Sequence, residues 1–305
     1  MSEQRSEKAL QDQVQLICSH LDEWELPVFL EKLLDLLQER RSASQRTPAP
    51  SLEGLIEPVL WAATTAGEAK VVGAFLKSDR IAFNWQDAEH ARTPFYRACS
   101  HGRAHIVEMM LAEPRVDPCR PVKLGATPFF IACQEGYHKV VEQLLKDPRV
   151  NPNEVDSSGV PPFFIACQNE RHEVLRLLCG TEGINVSRAR ADGCSSLFYA
   201  ISHRHLQVAK WILSSGPDVN LDCKWLPANR TALEQAKELK YKEEEVLLEQ
   251  YSADPLKTSL ALQEEFKTPS TPLTYLPADL PLSHRPCCVC RNQGGGHLCP
   301  GCPLD

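Results

Sequence analysis

Five of the thirteen cysteines crowd into the last nineteen residues, and their spacing is that of a metal site. Cys287-x-x-Cys290 and Cys299-x-x-Cys302 are two tight knuckles separated by eight residues. Each presents two thiolates, and the run Gly294-Gly295-Gly296 lets the knuckles face each other. Four thiolates make closed tetrahedral coordination for zinc, a structural site with no open position for catalysis. His297 can stand in for one cysteine, and Cys288 is left over; the alternative is a cysteine-rich end that binds nothing. A second set, Cys99, Cys133 and Cys167, recurs every 34 residues inside apolar segments. There cysteine acts as a small hydrophobe, and core packing is the expectation. No nucleophile sits with its base, no glycine loop could cradle a phosphate, and no carboxylates pair up, so no enzyme activity is expected.

The three spaced cysteines belong to a longer repeat. Thr93-Pro94-Phe95-Tyr96-Arg97-Ala98-Cys99 returns as Thr127-Pro128-Phe129-Phe130-Ile131-Ala132-Cys133. It returns again as Pro161-Pro162-Phe163-Phe164-Ile165-Ala166-Cys167 and as Ser195-Ser196-Leu197-Phe198-Tyr199-Ala200-Ile201, each time 34 residues on. Asp-Pro-Arg-Val at 147–150 has its relative, Glu-Pro-Arg-Val, at 113–116. A hydroxyl followed by proline starts a helix, because the oxygen caps free N–H groups and proline tolerates the first helical position. Gly102 and Gly136 then break the chain. A second helix carries apolar residues at helical spacing: Ile106, Val107, Met110 and Leu111; Val140, Val141, Leu144 and Leu145; Val174, Leu177 and Leu178. Gly125, Gly159 and Gly193 suit a turn two residues before the next start. Glu170 and Arg204 replace the glycine between helices and Ala91 the turn glycine, which predicts altered turns there. One such hairpin cannot bury its apolar face alone, whereas a stack of them can.

This pattern resembles the ankyrin repeat over about two-thirds of the chain, residues 52–252. Leu60-Trp61-Ala62-Ala63 with Val71 and Val72 makes a first unit, and Thr231-Ala232-Leu233-Glu234-Gln235-Ala236 starts a sixth, whose charged Lys237–Glu249 stretch is expected to form a solvent-facing terminal cap. The resemblance implies an all-α solenoid of helix–turn–helix units with hairpin finger loops. It also implies a scaffold or adaptor that holds a protein partner through its fingers and first-helix ends. Carried onto this sequence, the finger positions are Glu89, His90 and Arg92; Lys123, Leu124 and Ala126; Ser157, Ser158 and Val160; Ala191, Asp192 and Cys194. The first-helix ends are Ser100 and His101; Gln134 and Glu135; Gln168 and Asn169; Ser202 and His203. The sixth unit has a longer finger, Leu221–Pro227, whose Trp225 either anchors a partner or folds onto its own helices.

The tail spacing Cys-x2-Cys-x8-Cys-x2-Cys resembles the first half of a MYND-type zinc finger, a protein-binding module. That family carries further ligands, which do not follow before Asp305. The His-Leu-Cys-x-x-Cys ending is similar to the close of a RING finger, with Gly295 where that family has cysteine. The RING resemblance implies an alternative function, the substrate-recognition component of a ubiquitin ligase.

At the other end, residues 5–41 read as two helices, with stripes Leu10, Val14, Ile17, Leu21 and Leu26, Phe29, Leu30, Leu33, Leu34, Leu37. They either cap the first repeat or pair elsewhere. Residues 42–51 read as a linker and 253–286, with six prolines, as a second one holding a helical segment at Leu256–Phe266; residues 287–302 are the cysteine-rich segment. The 305-residue chain is 43% hydrophobic and 24% charged, ample for a packed core. Its net charge of −7 speaks against a nucleic-acid partner. No apolar run approaches the ~18 residues of a membrane span and no signal-type stretch opens the sequence. The expectation is a cytoplasmic or nuclear protein with no membrane contact and no small-molecule substrate.

Overall fold

The computed structural model describes residues 53–78 and 81–266. The N-terminal helical pair, the 42–51 linker, residues 267–286 and the 287–302 segment with Cys287, Cys290, Cys299 and Cys302 lie outside the described residues. Chain contacts divide at Lys123 and Leu124, and the two units are taken in turn. In the first, α1 (Glu53–Ala66) and α2 (Ala69–Leu76) form one hairpin, α3 (Pro94–Ser100) and α4 (Ala104–Leu111) the next. α1 packs on α3, and α2 on α4. The second unit holds α5 (Pro128–Glu135), α6 (His138–Lys146), α7 (Pro162–Gln168), α8 (His172–Cys179), α9 (Ser196–Ser202), α10 (Leu206–Ser214), α11 (Ala232–Leu239), α12 (Lys242–Ala253) and α13 (Pro255–Phe266). First helices pack in sequence α5, α7, α9, α11, and second helices α6, α8, α10, α12. No strand occurs among the described residues, only an isolated bridge between Trp225 and Arg230. The fold is all-α, built of stacked helical hairpins.

The sequence signals act locally as their chemistry requires. Thr93, Thr127 and Ser195 accept a hydrogen bond from the backbone N–H three residues on, at 3.0 to 3.1 Å. Thr231 does so within a full capping box, its own N–H donating to Glu234. At the fourth unit Pro161 sits in the same extended backbone with no side-chain cap. Thr127 is buried, so Thr127→Ala leaves an orphaned donor, and a loss of about 1–2 kcal/mol is expected from denaturant unfolding, with Thr127→Ser near neutral. Small side chains let the first helices approach: Ala98, Cys99, Ala132, Cys133, Ala166 and Cys167 have no exposed surface. Burial pushes the Cys99, Cys133 and Cys167 thiols well above their ordinary range, as core packing demands.

The turns are not altered where glycine is missing. Glu170, Arg204 and Lys240 take the left-handed conformation of Gly102 and Gly136, with φ of 51°, 59° and 57°. Ala91 does the same in its finger, at 58°. In all six units the N–H following that left-handed residue donates to an alanine carbonyl five residues back, as in Arg171 to Ala166 at 2.9 Å and His205 to Ala200 at 2.8 Å. This Schellman closure and the packing on either side fix the backbone, and the side chain tolerates the strain. A non-glycine residue there costs about 1–2 kcal/mol, of which glycine's extra unfolded freedom offsets roughly 0.4–1. Ala91→Gly is therefore expected to raise stability by about 0.5–1 kcal/mol, read as a shifted denaturant midpoint at unchanged slope.

The stack does not end on the charged helix. In α12 Leu247, Leu248 and Tyr251 are buried, and α13 packs against both α10 and α12. Leu262 and Ser259 of α13 are buried, Phe266 lies 5.9 Å from Trp211, Gln263 donates to the Ser214 carbonyl, and Lys210 pairs with Glu265. The helical segment expected at Leu256–Phe266 is thus present as α13, and it packs as a closing helix.

Candidate partner-binding face

Between hairpins the chain makes tight finger turns. Asp87 N–H donates to the Arg92 carbonyl, Asp156 to Val160, Arg190 to Cys194 and Trp225 to Arg230, at 3.0 to 3.1 Å. Three pairs of consecutive fingers are tied by a backbone bond: Lys123 to His90 in the first unit, Ser157 to Leu124 and Leu226 to Asp192 in the second. Aspartate side chains stiffen the turns, Asp156 Oδ1 accepting from both Ser158 and Val160. The fingers are therefore rigid, and the side chains they carry are presented without an ordering cost on binding.

The predicted residues fall into distinct environments. Glu89, His90, Lys123, Leu124, Ser157, Ser158 and Ala191 are exposed; Ala126, Val160 and Asp192 are half-buried and Cys194 is buried. Lys123 Nζ donates to the Ala88 and Glu89 carbonyls, so it locks a neighbouring finger as well as lining the surface. Arg92 is engaged on both sides, paired with Asp87 at 2.7 Å and lying over the Trp61 ring, which Arg97 also covers. Of the first-helix ends, Gln168 and His203 are exposed, while Ser100, His101, Gln134, Glu135, Asn169 and Ser202 are half-buried. His101 and His203 turn back to the carbonyls of Arg97 and Tyr199, and Gln134 donates to Glu135. Trp225 is half-buried and packs on the Phe164–Cys194–Phe198 cluster of the preceding units, 5.5 Å from the Phe198 ring.

Three residues of the same face had no place among the predicted positions. Ile131, Ile165 and Tyr199 occupy one position in successive units of the second body, half-buried, a helical turn before the predicted helix ends. Tyr199 stacks on His203 at 4.0 Å. The i, i+3 and i, i+4 spacing from Gln134, Gln168 and His203 was the available signal. Leu124 and Leu226 lie at finger tips, 74% and 66% exposed.

Among the described residues no three His, Cys, Asp or Glu side chains gather to hold a metal, and no helix is long and apolar enough to cross a membrane. The Cys179 and Cys194 thiols are pushed up by burial to about 12 and about 11, so both are protonated at neutral pH.

A family model described as ankyrin repeats, in three copies, matches residues 59–156 and 129–223, more than half of the chain. The protein belongs to the ankyrin-repeat family, whose repeats generally mediate protein–protein interaction and whose fold is typically non-catalytic. Solved structures share the fold. The ankyrin repeat domain of Bcl-3, described as a unique member of the IkappaB protein family, is 18% identical at a TM-score of 0.54, over 62% of this chain and 83% of that one. The ankyrin repeat protein EF0377 is 18% identical at 0.57, over 63% and 96%. An ankyrin repeat domain from Acinetobacter baumannii AYE (ABAYE2397) is 19% identical at 0.55, over 67% and 96%. At these identities the likeness is one of fold. No curated protein matches the sequence.

Proposed function

We propose that the protein is an adaptor that holds a partner protein on its fingers and first-helix faces. The observation that carries this reading is the series Ile131, Ile165 and Tyr199, one half-buried position repeated in consecutive units, together with finger tips that expose Leu124 and Leu226. Large apolar side chains on rigid turns, ringed by polar residues such as Gln134, Gln168 and Ser202, are the composition of an interaction hot spot. The test is quantitative affinity capture with the full chain, comparing Leu124→Asp/Leu226→Asp and Tyr199→Ala with Lys139→Glu on the exposed side of α6. Face variants are expected to lose the specific partner at least tenfold, with helicity unchanged, while Lys139→Glu retains it. Equal recovery by all variants would sink the reading.

We further propose that Cys287, Cys290, Cys299 and Cys302 bind one zinc ion, giving the adaptor a second contact. Four thiolates at this spacing favour a closed structural site. The full chain is expected to carry one zinc by atomic emission, and Cys299→Ser/Cys302→Ser none, with unchanged far-ultraviolet circular dichroism. Zinc-free full chain purified without chelator would contradict it.

A further inference from the structure

The repeated acid-Pro-Arg-Val motif has a job at the ends of the second helices. Arg115 donates from Nη1 to the Ser78 carbonyl at 2.8 Å and from Nη2 to the Leu76 carbonyl at 2.9 Å. Both carbonyls lie at the C-terminal end of α2, where backbone acceptors lack helical partners and the helix dipole is negative. Glu113 holds the guanidinium in place, accepting at 2.8 and 3.0 Å. These bonds keep the Glu113 carboxyl at about 2 rather than the ordinary 4.5. Its contribution to stability is thus complete above about pH 4.5 and lost as pH falls towards 2. Glu113→Gln is expected to flatten the acid limb of the unfolding midpoint over that interval, and an unchanged limb would contradict the pairing.

Later units keep the frame of this device and change its contents. Asn84 accepts from Asp117 N–H and donates to the Arg115 carbonyl, both at 2.8 Å. Asn153 repeats both bonds with Asn185 and Gly183, and Ser187 repeats the first with Asn220. Asp117, Asn185 and Asn220 are therefore equivalent, and so, two residues earlier, are Arg115, Gly183 and Asp218. By the same logic Ser78 and Thr181, whose N–H groups close the ends of α2 and α8 at 3.1 Å, correspond, as do Leu76 and Cys179.

A cavity of about 460 Å³ lies where these substitutions meet, lined among others by Cys179, Thr181, Gly216 and Asp218. It occupies the place that the Arg115 side chain fills at the end of α2. At the end of α8, however, the acid of the motif has become Ser215, whose N–H closes α10 as the Glu113 N–H closes α4, and, past one extra residue, the arginine has become Asp218. Helix-end residues Cys179 and Thr181 and the acidic Asp218 line the same cavity, so the lining offers acceptors and negative charge where the equivalent site carries its own cation. We propose that this cavity binds a guanidinium group, the side chain of an arginine reaching in from a partner protein. A planar fork with parallel N–H groups spans two carbonyls as Arg115 does, which the point charge of a lysine does not.

The site lies at the ends of second helices, apart from the finger face, and its test needs no partner, so it stands or falls separately from the adaptor reading. N-acetyl-L-arginine amide is titrated into the isotope-labelled full chain at low ionic strength. Saturable shifts in the millimolar range are expected, confined to amides around Thr181, Gly183, Gly216 and Val219. Asp218→Arg, at an exposed position, is expected to weaken binding at least tenfold and to raise the thermal midpoint as the cavity fills from within. Shifts that do not saturate, that persist in Asp218→Arg, or that N-acetyl-L-lysine amide reproduces at equal concentration would overturn the assignment.

Discussion

Phe164→Ala is expected to destabilise the unit from Leu124 onward by about 3–5 kcal/mol, a loss large enough to unfold a marginal domain. Phe164 has no exposed surface and forms one cluster with Cys194 and Phe198, on which Val160, Tyr199 and Trp225 pack. Tyr199 meets its ring edge-on at 5.4 Å, and the Arg190 guanidinium lies over it at 5.3 Å. The ring thus joins α7, the finger ahead of α9, α9 itself and the finger of the sixth unit. Its neighbours are held by their own capped helices and cannot collapse into the space, so a cavity term adds to the lost transfer energy. Hydrogen exchange should show lost protection spreading over α7, α9 and α11 together, because each hairpin depends on its neighbours for burial. Phe164→Leu, which keeps most of the volume, should cost about 1 kcal/mol. If truncation cost no more than that, Phe164 would not be the joint between these repeats.

The hairpins were legible because each one states its own boundaries. Thr127 and Pro128 mark a start and Gly136 a stop, Ala132 and Cys133 the close approach, and the 34-residue register multiplies these weak signals until they agree. What the pattern did not disclose are features decided by a neighbour. The left-handed backbone at Glu170 and Arg204 is imposed by the Schellman bonds to Ala166 and Ala200, and the residue type does not signal it. α13 was legible as a helical segment but its packing was not, since Phe266 meets Trp211 of α10, far back in sequence. Arg115 reads as a surface charge until its carbonyl partners at Leu76 and Ser78 are known, 39 and 37 residues earlier. The candidate face was legible in position but not in emphasis. Polar helix ends follow from the repeat offsets, whereas the half-burial of Ile131, Ile165 and Tyr199 depends on how far each first helix turns its flank to solvent.

Gly193→Ala is the second change with a large expected effect, and Gly159→Ala is its control. Both glycines sit at the same point of a finger turn with nearly the same backbone, φ of 78° and 75°. Alanine at either pays the left-handed penalty of about 1–2 kcal/mol. At 159 the added carbon would meet only Ala191, at an ordinary 3.6 Å. At 193 it would fall 2.4 Å from the Lys224 carbonyl oxygen, backbone that cannot rotate away, with Leu226 Cγ at 3.2 Å. The long finger must then move off its neighbour, which breaks the Leu226 to Asp192 bond and lifts Trp225 from Phe198. Overpacking of this kind adds about 1–3 kcal/mol, so a total of roughly 2–5 is expected for Gly193→Ala against 1–2 for Gly159→Ala. The Leu226 amide should lose its exchange protection and the Trp225 indole resonance should shift in the first variant only. Equal losses in the two would mean that the backbone angle alone sets the cost and that the finger tips are not pressed together. That outcome would also weaken the case for a rigid docking edge, since fingers free to part would have to be ordered by whatever binds them.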